Sequence, residues 1–236
     1  MSPEEQILSL VQQNCTGNPM EYVDNIVRPY ALQQLSQAIM ACSVCPIHCH
    51  KTRTVFGGTG NEPIMIIGSA PVERQANKGQ VQIPFEDTEE KQIIEILAAH
   101  FGMPLDKLCW MNLVNCYPAM SEQNEAVPPS RPLKSSEIKA CSGYLEAAIH
   151  IVKPKFLILL GNEVLNHFHI ATLNKVHGKQ MEFMGIPSMV VPNVSKMVQI
   201  MHDPAFTEDD IVAKKLEFQN ELGKAFAQAQ LVLGNN

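Results

Sequence analysis

Ile64-Met65-Ile66-Ile67-Gly68-Ser69-Ala70-Pro71 opens on four apolar residues and closes on a turn of small residues. An apolar run without polar alternation marks a strand buried on both faces, as in a parallel sheet covered by helices. Similar runs recur at 108–114, 156–160 and 189–191. Helical periodicity fills the intervals at 89–101, 135–152 and 163–169. Strands alternating with helices predict an α/β fold with a parallel sheet and helices on both faces. In such sheets ligands bind beyond the carboxyl ends of the strands. Those ends are Gly68 to Pro71, Asn112 to Cys116, Gly161-Asn162 and Pro192-Asn193.

Outward from this centre, Ser2, Pro3 and Glu5 read as the cap of a first helix reaching about Gln13, and 29–41 as a second. Thr207 caps a last helix running to about Gln230. The expected organisation is a single domain over 1–236: helices over 1–40, a core over 41–204 and a terminal helix over 205–236. The loop at 117–133 is long for a compact domain, which points to a functional or flexible segment. Gly57-Gly58-Thr59-Gly60 lacks the Lys-Ser/Thr and the preceding strand of a phosphate loop and reads as a turn.

The net charge of −6 argues against coating nucleic acid through bulk charge, while leaving local contacts open. No run of 18 apolar residues is present, and MSPEEQILSL carries acids where a secretory leader carries bases, so a cytoplasmic, non-membrane protein is expected. Seven cysteines cannot all pair as disulfides; metal-bound thiolates in a reducing compartment fit better. Cys42 and Cys45 form a C-x-x-C pair, Cys116 ends an apolar run, and Cys141 lies in a helical pattern. Four thiolates from separated elements can close one site, holding zinc or an iron–sulfur cluster. His48, Cys49 and His50 also allow a local zinc knuckle, whereas Cys15 and Cys109 read as incidental or core thiols.

The order of these features resembles the family 4, iron–sulfur uracil-DNA glycosylases over roughly Ala41 to Asn193. The family's C-x-x-C is Cys42 and Cys45. Its G-E-A-P-G appears as Gly68-Ser69-Ala70-Pro71-Val72, and its G-x-P-F is stretched, with Gly79 apart from Pro84-Phe85. Its N-V-V-K-C-R-P-P appears as Asn112 to Pro118, and its strand ending in L-G as Phe156 to Gly161. The resemblance implies a three-layer α/β/α fold around a four-stranded parallel sheet. It also implies a [4Fe–4S] cluster on Cys42, Cys45, Cys116 and Cys141 that holds the DNA-facing loop. The implied reaction is hydrolysis of the bond between uracil, or a related base, and deoxyribose, in single-stranded DNA or after base flipping. Phe85 would stack on the base, Asn112 would supply a polar contact, and Ser69, Ala70 and Pro71 would line the pocket.

Departures fall on the chemistry. Ser69 and Gln75 stand where the family has acids, with Glu73 near; Glu86, Asp87, Glu89 and Glu90 follow Phe85, where they would repel a phosphate track. The late H-P-S motif reads Pro192-Asn193-Val194-Ser195-Lys196, leaving Asn193 as a neutral donor and His202 as a loop residue able to substitute. Glu73, Asn193 and His202 are thus the candidate catalytic groups. The rival expectation is a catalytically degenerate iron–sulfur member serving as a DNA- or replication-associated binding module, with the terminal helices free to recruit a protein partner.

Overall fold

The computed structural model describes residues 23–49, 52–72, 75, 81–119, 130–161, 164–165 and 179–234. The helix expected before Gln13, most of the one at 163–169 and the middle of the 117–133 loop lie outside them.

A π-helical turn, Val23–Val27, leads into α1 (Arg28–Ala41), which has Pro29 in its first turn and buries Leu32, Leu35 and Ile39. A 3-10 turn over Pro46–Cys49 follows, then β1 (Arg53–Thr54), β2 (Ile64–Gly68), β3 (Val81–Gln82), α2 (Glu89–His100) and β4 (Leu108–Asn112). The second half runs α3 (Ser135–Val152), β5 (Phe156–Leu160), β6 (Gln180–Phe183), β7 (Ile186–Val191), α4 (Val194–His202) and α5 (Glu208–Gly234).

The main sheet has the order β4-β2-β5-β7-β6. Its first four strands are parallel, with Ile64 opposite both Leu108 and Phe156. These are the four strands expected from sequence. The fifth, β6, pairs antiparallel to β7 and corrects the strand count. Gln180, Met181 and Glu182 are at least partly exposed on this edge, so the segment carries no buried apolar run to betray it. β1 and β3 form a separate two-stranded parallel sheet.

Side-chain alternation along the central strands builds the layers. Met65, Ile67, Met111, Leu157 and Leu159 face one core with α1 and α3. Ile64, Ile66, Trp110, Phe156 and Ile158 face the other with α2, α4 and α5. Both faces are therefore dry, which is why these strands read as continuous apolar runs. On α5, Gly223 admits Phe101 from the end of α2; a Cβ there would stand 2.5 Å from the ring. α5 begins at a reciprocal cap, where Thr207 Oγ1 accepts the Asp210 N–H at 3.2 Å and Asp210 Oδ2 accepts the Thr207 N–H at 3.1 Å.

α4 corrects the reading of His202 as a loop residue. Asn193 Oδ1 caps the helix by accepting the Ser195 N–H at 2.9 Å, and His202 ends it. Met197 and Val198 bury the apolar face that drives its formation. Among the described residues no helix is long and apolar enough to cross a membrane.

Candidate base-binding cleft and cysteine centre

The parallel strands end at one edge of the sheet, and a cleft of about 1000 Å³ opens there. Gly68, Ser69, Ala70, Pro71 and Phe85 line it from one side, and Asn193 and His202 from the other. Asn112 ends β4, fully buried, and meets the cleft through Gly68. A Cβ on Gly68 would lie 2.5 Å from Asn112 Oδ1 and 2.6 Å from Phe85 Cζ, so the amide and the ring converge on one point. Asn112 Nδ2 donates to Thr54 Oγ1 at 3.0 Å, whereas Oδ1 is buried without a hydrogen-bond partner among the described residues. An orphan acceptor in a dry site favours a ligand that brings an N–H.

Phe85 is held in a backbone conformation that bulky residues rarely adopt, with φ of 61°. Gln75 Oε1 accepts the N–H groups of Val72 and Phe85, each at 3.3 Å, joining the turn after β2 to the ring. Its Nε2 donates to Ile83 O at 2.9 Å and Gln82 Oε1 at 3.3 Å. A carboxylate could not donate these bonds, so an amide suits this buried position and Gln75 acts as a positioning residue. The Thr88 hydroxyl fixes the far side, donating to Phe85 O at 2.6 Å while accepting the Lys91 N–H at 3.3 Å as the cap of α2. The Phe85 ring meets Trp110 edge-on at 6.2 Å.

Three of the four acids after Phe85 are drawn into the fold rather than standing as the repelling strip expected from sequence, while Asp87 stays exposed. Glu86 Oε2 turns back to accept the Ile83 N–H at 3.0 Å. Glu89 Oε2 pairs with His202 Nε2 at 2.8 Å, tying the end of α4 to the start of α2 at the cleft wall. Glu90 is buried, lines the cleft, and its Oε2 has no hydrogen-bond partner among the described residues. Sequence reading missed this group because a carboxylate in an acidic run looks solvated. Glu73 lies outside the described residues.

On the opposite helical layer, Cys42, Cys45, Cys116 and Cys141 line one small cavity with Ile39, Asn115 and Tyr144. The C-x-x-C segment leaves the end of α1, and Arg53 clasps it, donating to the carbonyls of Ile39 and His48 at 3.1 Å each and to that of Met40. These bonds satisfy carbonyls that a helix end leaves unpaired. Arg53 also bridges to Cys116 through the backbone. Asn115 donates to Cys141 Sγ through its backbone N–H at 3.3 Å and through Nδ2 at 3.5 Å. Burial pushes the Cys116 thiol up to about 12, helped by Cys141, and the Cys141 thiol up to about 11, helped by Cys42 and Cys45. Burial raises Cys45 as well.

The four thiols line one cavity, and a cationic centre is what makes four neighbouring thiolates favourable there. A lone zinc with Zn–S bonds of about 2.3 Å draws its sulfurs to within about 4 Å of each other. Among the described residues no three His, Cys, Asp or Glu groups stand close enough to share one ion. The donor set is all thiolate, the chemistry that structural zinc and iron–sulfur clusters share. His50 and the Cys49 side chain, needed for a local zinc knuckle, lie outside the described residues, as does Cys15. Cys109 sits in the core, its thiol donating to Ile64 O at 3.4 Å.

Residues 55–217 match the model of the uracil DNA glycosylase superfamily. The chain is also similar to proteins named type-4 uracil-DNA glycosylase. That of Sulfurisphaera tokodaii is 27% identical over 63% of this chain, and the alignment spans 66% of the relative. That of Thermotoga maritima is 26% identical over 67% of this chain and 78% of the relative. That of Archaeoglobus fulgidus is 29% identical over 69% of this chain and 74% of the relative.

Proposed function

Because the chain belongs to the uracil DNA glycosylase superfamily, we propose that it hydrolyses the N-glycosidic bond of uracil in DNA, with the base turned out of the stack into the cleft beside Phe85. The observation that carries this reading is the buried, unpartnered Asn112 Oδ1 converging with the Phe85 ring above Gly68. Uracil offers an N3–H donor and an aromatic face. Cytosine presents a bare nitrogen at the same position, which would set acceptor against acceptor. A site built to receive an N–H rejects analogues that lack it, because the buried oxygen stays unpaired. Ser69, Ala70 and Pro71 wall the base, and the absence of a Cβ at Gly68 leaves amide and ring close together.

As C1′–N1 breaks, charge builds on the departing base. Asn193 has committed its oxygen to the cap of α4, leaving its amide protons to donate toward the cleft. His202, oriented by Glu89, stands on the same wall. Cys42, Cys45, Cys116 and Cys141 would hold a [4Fe–4S] cluster that ties α1, α3 and the segment after β4 together; such a cluster would serve structure rather than base hydrolysis. Free thiols throughout the described residues suit a reducing cytoplasm.

Incubation of excess protein with a single-stranded oligonucleotide carrying one uracil should produce an alkali-labile site at that position and none at cytosine. Binding without any such site would instead favour a catalytically degenerate, DNA-associated member of the fold.

A further inference from the structure

We propose that Glu90 is the carboxylate that holds and deprotonates the attacking water, a role resting on the reading of the cleft as a uracil-releasing site. Ser69 and Gln75 supply no carboxylate, and Gln75 is consumed in positioning Phe85. Glu90 stands in the first turn of α2, where the helix dipole favours a negative charge. It is 5% exposed, lines the cleft shared with Phe85 and Ser69, and leaves Oε2 without a partner among the described residues. Burying a carboxylate oxygen unpaired is costly, and such groups persist where function needs them. Its neighbour Glu89 is spent on His202, and Glu217, also in the cleft, accepts from Lys214 at 2.7 Å. Among the described residues lining the cleft, Glu90 is the carboxylate with a buried oxygen left unpartnered.

The step balances without another reactant. One electron pair of the water oxygen forms the bond to C1′ as C1′–N1 breaks, and that bonding pair leaves with N1 of uracil. The water proton passes to Glu90 Oε2 and from there, through solvent, to the uracil anion. The products are free uracil and an abasic sugar. A positioned general base contributes about 10²–10⁴ in rate.

The test compares wild type with Glu90→Gln, which keeps the shape and removes the base. Single-turnover uracil release should fall by about 10²–10⁴. Affinity for an oligonucleotide bearing 2′-fluoro-deoxyuridine, whose fluorine resists cleavage, should stay within about threefold, the scale of an unperturbed contact. Melting temperature should hold or rise, since an unpaired buried carboxylate is removed. Glu90→Asp should recover part of the rate. An active wild type with an equally active Glu90→Gln overturns the role of Glu90 alone. Parallel loss of affinity or melting temperature in Glu90→Gln makes Glu90 structural and also overturns it. A wild type that releases no uracil overturns the reading of the cleft, and the proposal with it.

Discussion

Gly68 is where the base site has least tolerance, and Gly68→Ala tests that arrangement. The added methyl would arrive 2.5 Å from Asn112 Oδ1, 2.6 Å from Phe85 Cζ and 2.9 Å from Phe85 Cε2. Neither neighbour can retreat cheaply. Asn112 is fully buried and anchored to Thr54, while Phe85 is 3% exposed, backed by Trp110, and bonded at both backbone ends by Gln75 and Thr88. Overpacking of this kind costs about 1–3 kcal/mol. At about 2–4 °C per kcal/mol for a chain of this size, melting should drop by about 2–12 °C. Gly143 is the matched control: it lies inside α3 and a Cβ there meets nothing within 4 Å. Gly143→Ala should gain about 0.5–1 kcal/mol from the reduced freedom of the unfolded chain and leave activity intact. Scanning calorimetry and uracil release measured on both variants separate the effects. A Gly68→Ala protein that melts and reacts like wild type would refute the convergence of ring and amide above Gly68.

Cys141→Ala should abolish the broad absorption near ~400 nm expected of an anaerobically purified iron–sulfur protein, and Cys116→Ala should do the same; brown, stable variants would contradict the ligand assignment. Arg53→Met keeps the aliphatic stem but removes three hydrogen bonds to the carbonyls flanking the C-x-x-C pair, so iron should be lost to a chelator faster than from wild type, read as bleaching over time. Glu137 is held below the ordinary carboxylate range chiefly by its hydrogen bonds from Arg131, at 2.5 and 2.9 Å. A lowered folded-state pKa stabilises the protein above the unfolded-state value, and this contribution is lost as pH falls through the folded-state value. Glu137→Gln should therefore melt lower than wild type near neutrality, with the gap closing under acid; a gap independent of pH would contradict the linkage.

Much of this architecture is written in local sequence because burial on both faces leaves an uninterrupted apolar run. Ile64 to Ile67 and Phe156 to Leu160 are fully enclosed, and α3 spans 135–152 as its periodicity indicates. β6 escapes such reading because an edge strand needs little apolar surface, and its pairing with β7 is a tertiary event. α4 runs through the segment whose end, His202, reads as a loop residue in sequence, although Asn193 followed by Val194, Met197 and Val198 carries both the cap and the buried face of a helix. The cysteine quartet could be read as a candidate set, since spacing and element type restrict which thiols can meet. The clasp of Arg53 and the burial of Glu90 could not. A charged side chain in sequence carries no mark of whether its partner is solvent, a helix terminus or a cleft, and only packing decides this.

The most direct measurement is single-turnover reaction of the iron-loaded protein with uracil-containing single-stranded DNA in water enriched in ¹⁸O, followed by mass spectrometry of base and sugar. Hydrolysis at C1′ predicts one equivalent of free, unlabelled uracil per site, an abasic sugar carrying the heavy oxygen, and an untouched cytosine control. Intact DNA at protein excess, or label found in the released base, would contradict it.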